Sequence, residues 1–128
     1  MTIALWCVLA GGLMPLIWTA TAKFTGDRKL TPRDNKNPRA FLAGATGRQA
    51  RANNAQLNAF EAFPLFAAAV LTAEWLDATQ SIVDGLALTW VGLRLAYGFI
   101  YLADWGPLRS LVWFAALLCP VALFIVAA

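Results

Sequence analysis

Arg51, Asn54, Asn58 and Glu61 recur at i, i+3, i+7 and i+10. At about 100° per helical residue they fall within an arc of roughly 80°, a single polar stripe. Arg94, Tyr97 and Tyr101, at i, i+3 and i+7, form a second stripe within about 60°, and Arg109-Ser110 follow shortly after. Charged and amide side chains within apolar segments are costly and tend to mark function. Three guanidiniums, Arg51, Arg94 and Arg109, face only Glu61 and Asp104 as candidate counter-charges. Guanidinium forks match carboxylates bidentately, and a carboxylate suits an ammonium. The set therefore fits a small zwitterion carrying extra negative charge. The competing reading is structural, with Asn58, Glu61 and Arg94 hydrogen-bonding between helices to fix their packing.

Positioning these residues requires helices that cross a membrane. Of the 128 residues, 60% are hydrophobic and only 13% charged, against about 45–50% and about 25% in soluble domains. At about 20 apolar residues per span, the chain holds four spans and little else, an all-α integral membrane four-helix bundle in one domain, 1–128. The first span is Ile3 to Ala22. It ends in Ala20-Thr21-Ala22, but no Lys or Arg precedes it and it exceeds a signal h-region, so it reads as a retained helix. Asn37-Pro38 has the form of an N-cap with proline at the first helical position. The second helix is expected from about Pro38 to Trp75, with a basic loop and helix extension over 23–54, a membrane-embedded part over 55–75, and a kink at Pro64. The third span, about 82–103, is entered through a Ser81–Asp84 capping pair. A Trp105-Gly106-Pro107 turn leads to the fourth span, about 108–126, bent at Cys119-Pro120.

Between Lys23 and Arg51 lie eight basic residues and two acidic ones, whereas Glu74 to Asp84 carries three acids and no base. The positive-inside rule puts the basic side in the cytoplasm and both termini opposite, with Trp6 and Trp75 marking one interface and Trp18 and Trp105 the other. Histidine is absent, and Cys7 and Cys119 sit in apolar runs. We expect no metal, no haem and no disulfide framework.

The run from Arg51 to Phe66 resembles the second-helix signature of the MAPEG family, the membrane-associated proteins in eicosanoid and glutathione metabolism. Its Asn-x-x-Glu-x-x-Pro core stands here as Asn58, Glu61 and Pro64. Gly92-Leu-Arg94 through Tyr97, Tyr101 and Pro107-Leu-Arg109-Ser110 is similar to the stretch ending in the family's catalytic Arg-Ser pair. The resemblance covers nearly the whole chain. It implies a homotrimer with glutathione as co-substrate, held between neighbouring subunits near the cytoplasmic side. Asn58 and Glu61 would hold the glutathione backbone and amino end, and Arg51, Arg94 and Tyr97 would line the pocket around its carboxylates, with Asn54 on the same second-helix face. Tyr101 would lie near the cysteinyl part, and Arg109 with Ser110 would face the sulfur as catalytic residues.

The function so implied is a glutathione-dependent transferase or peroxidase that activates the thiol as thiolate against a lipophilic electrophile or hydroperoxide from the bilayer. The alternative is a non-catalytic lipid-binding or accessory subunit of a larger membrane assembly. A transporter lacks the expected repeated broken helices. Nucleic acid is excluded as a partner, because the net charge of +3 follows from topology. A bacterial inner membrane is the expected location.

Overall fold

Apolar runs long enough to cross a bilayer have one way to satisfy their backbone there, the α-helix, and the chain adopts it throughout. A computed structural model describes residues 1–128. Its helices are α1 (Ile3–Phe24), α2 (Pro38–Ala43), α3 (Gly47–Trp75), α4 (Gln80–Leu102) and α5 (Gly106–Ala127), with one short 3-10 turn at Asp34–Lys36. Four of them, α1, α3, α4 and α5, are long and apolar enough to span a membrane. They run up and down, so both chain ends and the acidic α3–α4 connection share one end of the bundle. The basic α1–α3 segment and the α4–α5 turn share the other.

The bundle closes because small residues face its axis. On α3 the buried positions are mostly alanines, among them Ala52, Ala55, Ala59, Ala69 and Ala73. Such surfaces let helix backbones approach closely, which substitutes for the hydrophobic drive missing in lipid. Large rings then fill sockets left by glycines. The Trp18 indole of α1 lies against Gly98 of α4, where any Cβ would overlap the ring, and it meets Phe99 edge-on at 5.4 Å. Gly11 of α1 faces the Trp90 ring, which stacks on Phe66 of α3 at 3.8 Å. Trp18 is 1% exposed, so it belongs to the core and not to the interfacial belt expected for it. Trp6, Trp75 and Trp105 are exposed.

Two other expectations are corrected. The helix expected over Pro38–Trp75 is broken at Gly44–Thr46 into α2 and α3. Asn37 does cap α2, accepting from the Ala40 amide at 3.3 Å. A continuous rod would have left Phe41 in water, whereas the turn through Gly44 and the left-handed Gly47 (φ +54°) folds α2 back and buries it. Gln49 then donates to the Ala22 and Arg28 carbonyls at 2.6 and 2.8 Å, tying the loop to the end of α1. The Ser81–Asp84 capping pair does not form either, because α4 starts at Gln80 with Thr79 in the cap position, two residues earlier, and Asp84 faces α1. There its carboxylate accepts from the Ala4 amide at 2.8 Å, satisfying a first-turn amide of α1 that has no intrahelical partner. Thr2 caps the same helix and donates to Glu74 at 2.5 Å. Gln80 bridges Glu74 and Asp84 at 3.1 and 3.0 Å. The helices α3 and α5 run uninterrupted through Pro64 and Pro120.

Replacing Gly98 with alanine should lower the thermal midpoint of the detergent-solubilised protein, at an overpacking cost of about 1–3 kcal/mol. Gly92→Ala, where an added methyl meets nothing within 4 Å, should hold or raise it, since alanine gains about 1 kcal/mol of helix propensity. Tryptophan fluorescence melts of the two variants distinguish them, and equal midpoints would contradict the tight socket. Asp84→Ala should cost about 0.5–2 kcal/mol, as loss of a helix cap does, and Asp84→Asn should recover most of it.

Candidate functional site

At the basic end of the bundle, two helical stripes and the start of α5 meet. Asn58 and Glu61 lie one turn apart on α3, Arg94 and Tyr97 are buried and Tyr101 half-buried along α4, and Arg109 lies in the first turn of α5, its amide bonded to the Trp105 carbonyl at 2.9 Å. The contacts run as a ladder. Arg94 Nη2 donates to Asn58 Oδ1 at 2.8 Å. Because a guanidinium only donates, this fixes the amide's orientation and turns its Nδ2 toward Glu61 Oε2, 3.5 Å away. The Arg94 guanidinium lies over the Tyr97 ring at 4.5 Å, Tyr97 meets Tyr101 edge-on at 5.6 Å, and Arg109 lies over Tyr101 at 4.3 Å. Glu61, Asn58, Arg94, Tyr97, Tyr101 and Arg109 thus form one connected series across three helices.

The three remaining sequence candidates stand apart from it. Arg51 donates from Nε to the Leu102 carbonyl at 3.2 Å and pairs with Asp104 at 3.8 Å, so its charge is used to close the end of α4. Asn54 lies on the exposed surface of α3. Ser110 is exposed, and its hydroxyl donates back to the Gly106 carbonyl at 3.3 Å. With Arg51 matched by Asp104, the ladder itself keeps two guanidiniums against the single carboxylate of Glu61.

Arg94 is 2% exposed, and its Nε has no hydrogen-bond partner. A buried, unused donor on a cation is expensive. Beside it lies an open cleft of about 160 Å³ between α3 and α5. Asn58, Glu61 and Arg94 form its polar wall, and Trp90, Leu65, Trp113 and Pro120 its apolar one. Sequence reasoning missed Trp90 and Trp113. The signal was present, because Trp90 precedes Arg94 by four residues and Trp113 follows Arg109 by four, which puts each ring on the face of its arginine. A volume of 160 Å³ falls below the roughly 300–1,000 Å³ of small-molecule sites.

Chemically, the arrangement can bind separated opposite charges. The Glu61 carboxylate is suited to a cation and the guanidiniums of Arg94 and Arg109 to an anion, with the Tyr97 and Tyr101 rings lying between them. Nowhere do three His, Cys, Asp or Glu side chains converge as a metal site.

No curated protein and no solved structure gives a significant match to the chain. The sequence model of the MAPEG family matches residues 3–128. That span takes in all four long helices and both polar stripes, and the chain belongs to the MAPEG family, whose members include glutathione transferases and peroxidases as well as non-catalytic proteins.

Proposed function

We propose that the protein is a membrane-embedded glutathione-dependent transferase or peroxidase, working as a homotrimer in a bacterial inner membrane with its basic end in the cytoplasm. The observation that carries this reading is the ladder from Glu61 to Arg109, with its excess guanidinium charge and the orphaned Arg94 donor beside a cleft. Glutathione has the complementary charges: one ammonium for Glu61 and two carboxylates for the Arg94 region. Glu61 is exposed at membrane depth on a single chain, and a lipid-facing carboxylate there is costly. A neighbouring subunit covering it would also supply the walls that the small cleft lacks.

Arg109 is the activating residue. Its guanidinium and the N-terminal end of α5 both favour negative charge on a nearby sulfur, so the thiol loses its proton to solvent and stays as thiolate. The thiolate then attacks a lipophilic electrophile from the bilayer. A carbon–sulfur bond forms, and the leaving group departs with the bonding pair or an added alkene carbon takes up a proton. With a hydroperoxide, sulfur takes the terminal oxygen, the O–O bond breaks and the alkoxide is protonated. A second glutathione then converts the sulfenic acid to disulfide and water.

Addition of glutathione to the detergent-solubilised protein should produce an ultraviolet thiolate difference band, absent in Arg109→Ala. That variant should lose about 100-fold in kcat, the scale of removing one preorganised charge-stabilising donor, with little change in thermal midpoint. Asn58→Leu should act differently, raising KM and lowering stability by about 1.5–3 kcal/mol, because it strips a buried guanidinium of its partner. Equal losses of turnover and stability in Arg109→Ala would give Arg109 a structural role. Absence of both the band and any heat of binding in the wild type would favour a non-catalytic lipid-binding or accessory subunit.

A further inference from the structure

The segment between α1 and α3 holds seven cations from Lys23 to Arg48, of which only Arg28 has a carboxylate within ion-pair distance, Asp34 at 2.6 Å. They hang from an ordered scaffold. The Leu30 amide donates to the Lys23 carbonyl at 2.8 Å, closing the loop onto the last turn of α1, and buried Gln49 holds the Arg28 carbonyl against the same helix end. Asp34 accepts from the Thr31 hydroxyl at 2.7 Å, and that bond, with the Arg28 guanidinium, holds its carboxyl below the usual aspartate range. Arg28 itself lies over the buried Phe41 ring at 4.9 Å.

Arg28 and Phe41 form a shared wall between two surface clefts of about 400 and 310 Å³. The first also presents Arg48, and the second presents Arg33 and Lys36. The tie from Gln49 to Ala22 keeps these clefts within about a turn of the apolar end of α1, so they lie at headgroup depth, where the bilayer's phosphates are. Among the charged side chains that line them without a hydrogen bond or ion pair in the protein, three are exposed cations, Arg33, Lys36 and Arg48, against one exposed anion, Asp27.

We propose that this face is a binding site for the phosphate headgroup of an anionic phospholipid, seated on either side of Arg28. Basic pockets at this level bind acidic headgroups by charge complementarity, with the acyl chains held in the adjoining bilayer. Arg28 is the fixed wall, and Arg33, Lys36 and Arg48 supply the charge that the lipid neutralises.

The test is the selectivity of the reconstituted full-length protein for spin-labelled phosphatidylglycerol over spin-labelled phosphatidylcholine, read as the motionally restricted lipid fraction. Arg33→Gln/Lys36→Gln/Arg48→Gln removes only cations that do no work in the fold. It should abolish most of the preference for phosphatidylglycerol. Lys23→Gln/Lys29→Gln/Arg39→Gln lowers net charge equally outside the clefts and should keep most of the preference. Equal losses in both triple variants would mean diffuse surface attraction and overturn the site. So would an unchanged preference in the first variant, or none in the wild type. Displacement of the labelled lipid by equimolar glycerol phosphate would show a soluble-anion site and overturn the assignment to lipid.

Discussion

The hydrogen bond from Arg94 to Asn58 is the constraint around which the bundle is arranged. A guanidinium in the middle of a spanning helix costs about 2.5–3.5 kcal/mol on insertion scales. Arg94 lies eight residues from the end of α4, about 12 Å along the axis, too deep for all of its donors to reach water. A hydrogen bond to a charged group returns about 1.5–3 kcal/mol, and a desolvated cation over a ring about 2 kcal/mol. Neither alone offsets the cost with margin, and together they do. This explains why both Asn58 and Tyr97 are needed, and why α3 and α4 must meet at this level and rotation.

Holding that register falls to packing elsewhere. Trp18 in the Gly98 socket sits one residue beyond Tyr97, and Trp90 on Phe66 sits one turn before Arg94. The two ring sockets therefore bracket the arginine along α4. Sliding α4 by one turn would drive a Cβ into an indole and pull Arg94 from Asn58 at once. The site's geometry and the bundle's steric fit are consequently the same fact seen at two levels, and the alanine-rich face of α3 is what makes both fits possible.

The sequence shows the spans, the two stripes and the entry of α5 clearly, because period and hydropathy are local properties. It misreads what depends on a neighbour. The Gly44–Thr46 break follows from burial of Phe41, and Asp84 leaves its own helix start because the amides of α1 need an acceptor. Trp18 resembles a belt residue until Gly98 is found opposite it. Arg51 keeps the spacing of the stripe and meets Asp104, one of the counter-charges legible in the sequence, together with the Leu102 carbonyl, whose part in holding it is not. Each of these outcomes is a tertiary choice among local options that are nearly equivalent.

The three arginines end up in different electrostatic conditions. Arg51 is matched by a carboxylate, and Arg94 by an amide and a ring. Arg109 is held only over the face of Tyr101, at 4.3 Å, and carries no ion pair. A ring face attracts the cation without neutralising it, so Arg109 is positioned but keeps its full field and its donors. It also stands where the amides of α5 add positive potential. Of the three, it is the one whose guanidinium has neither an ion pair nor a hydrogen-bond acceptor within the chain, since Arg51 meets the Leu102 carbonyl and Asp104 and Arg94 meets Asn58.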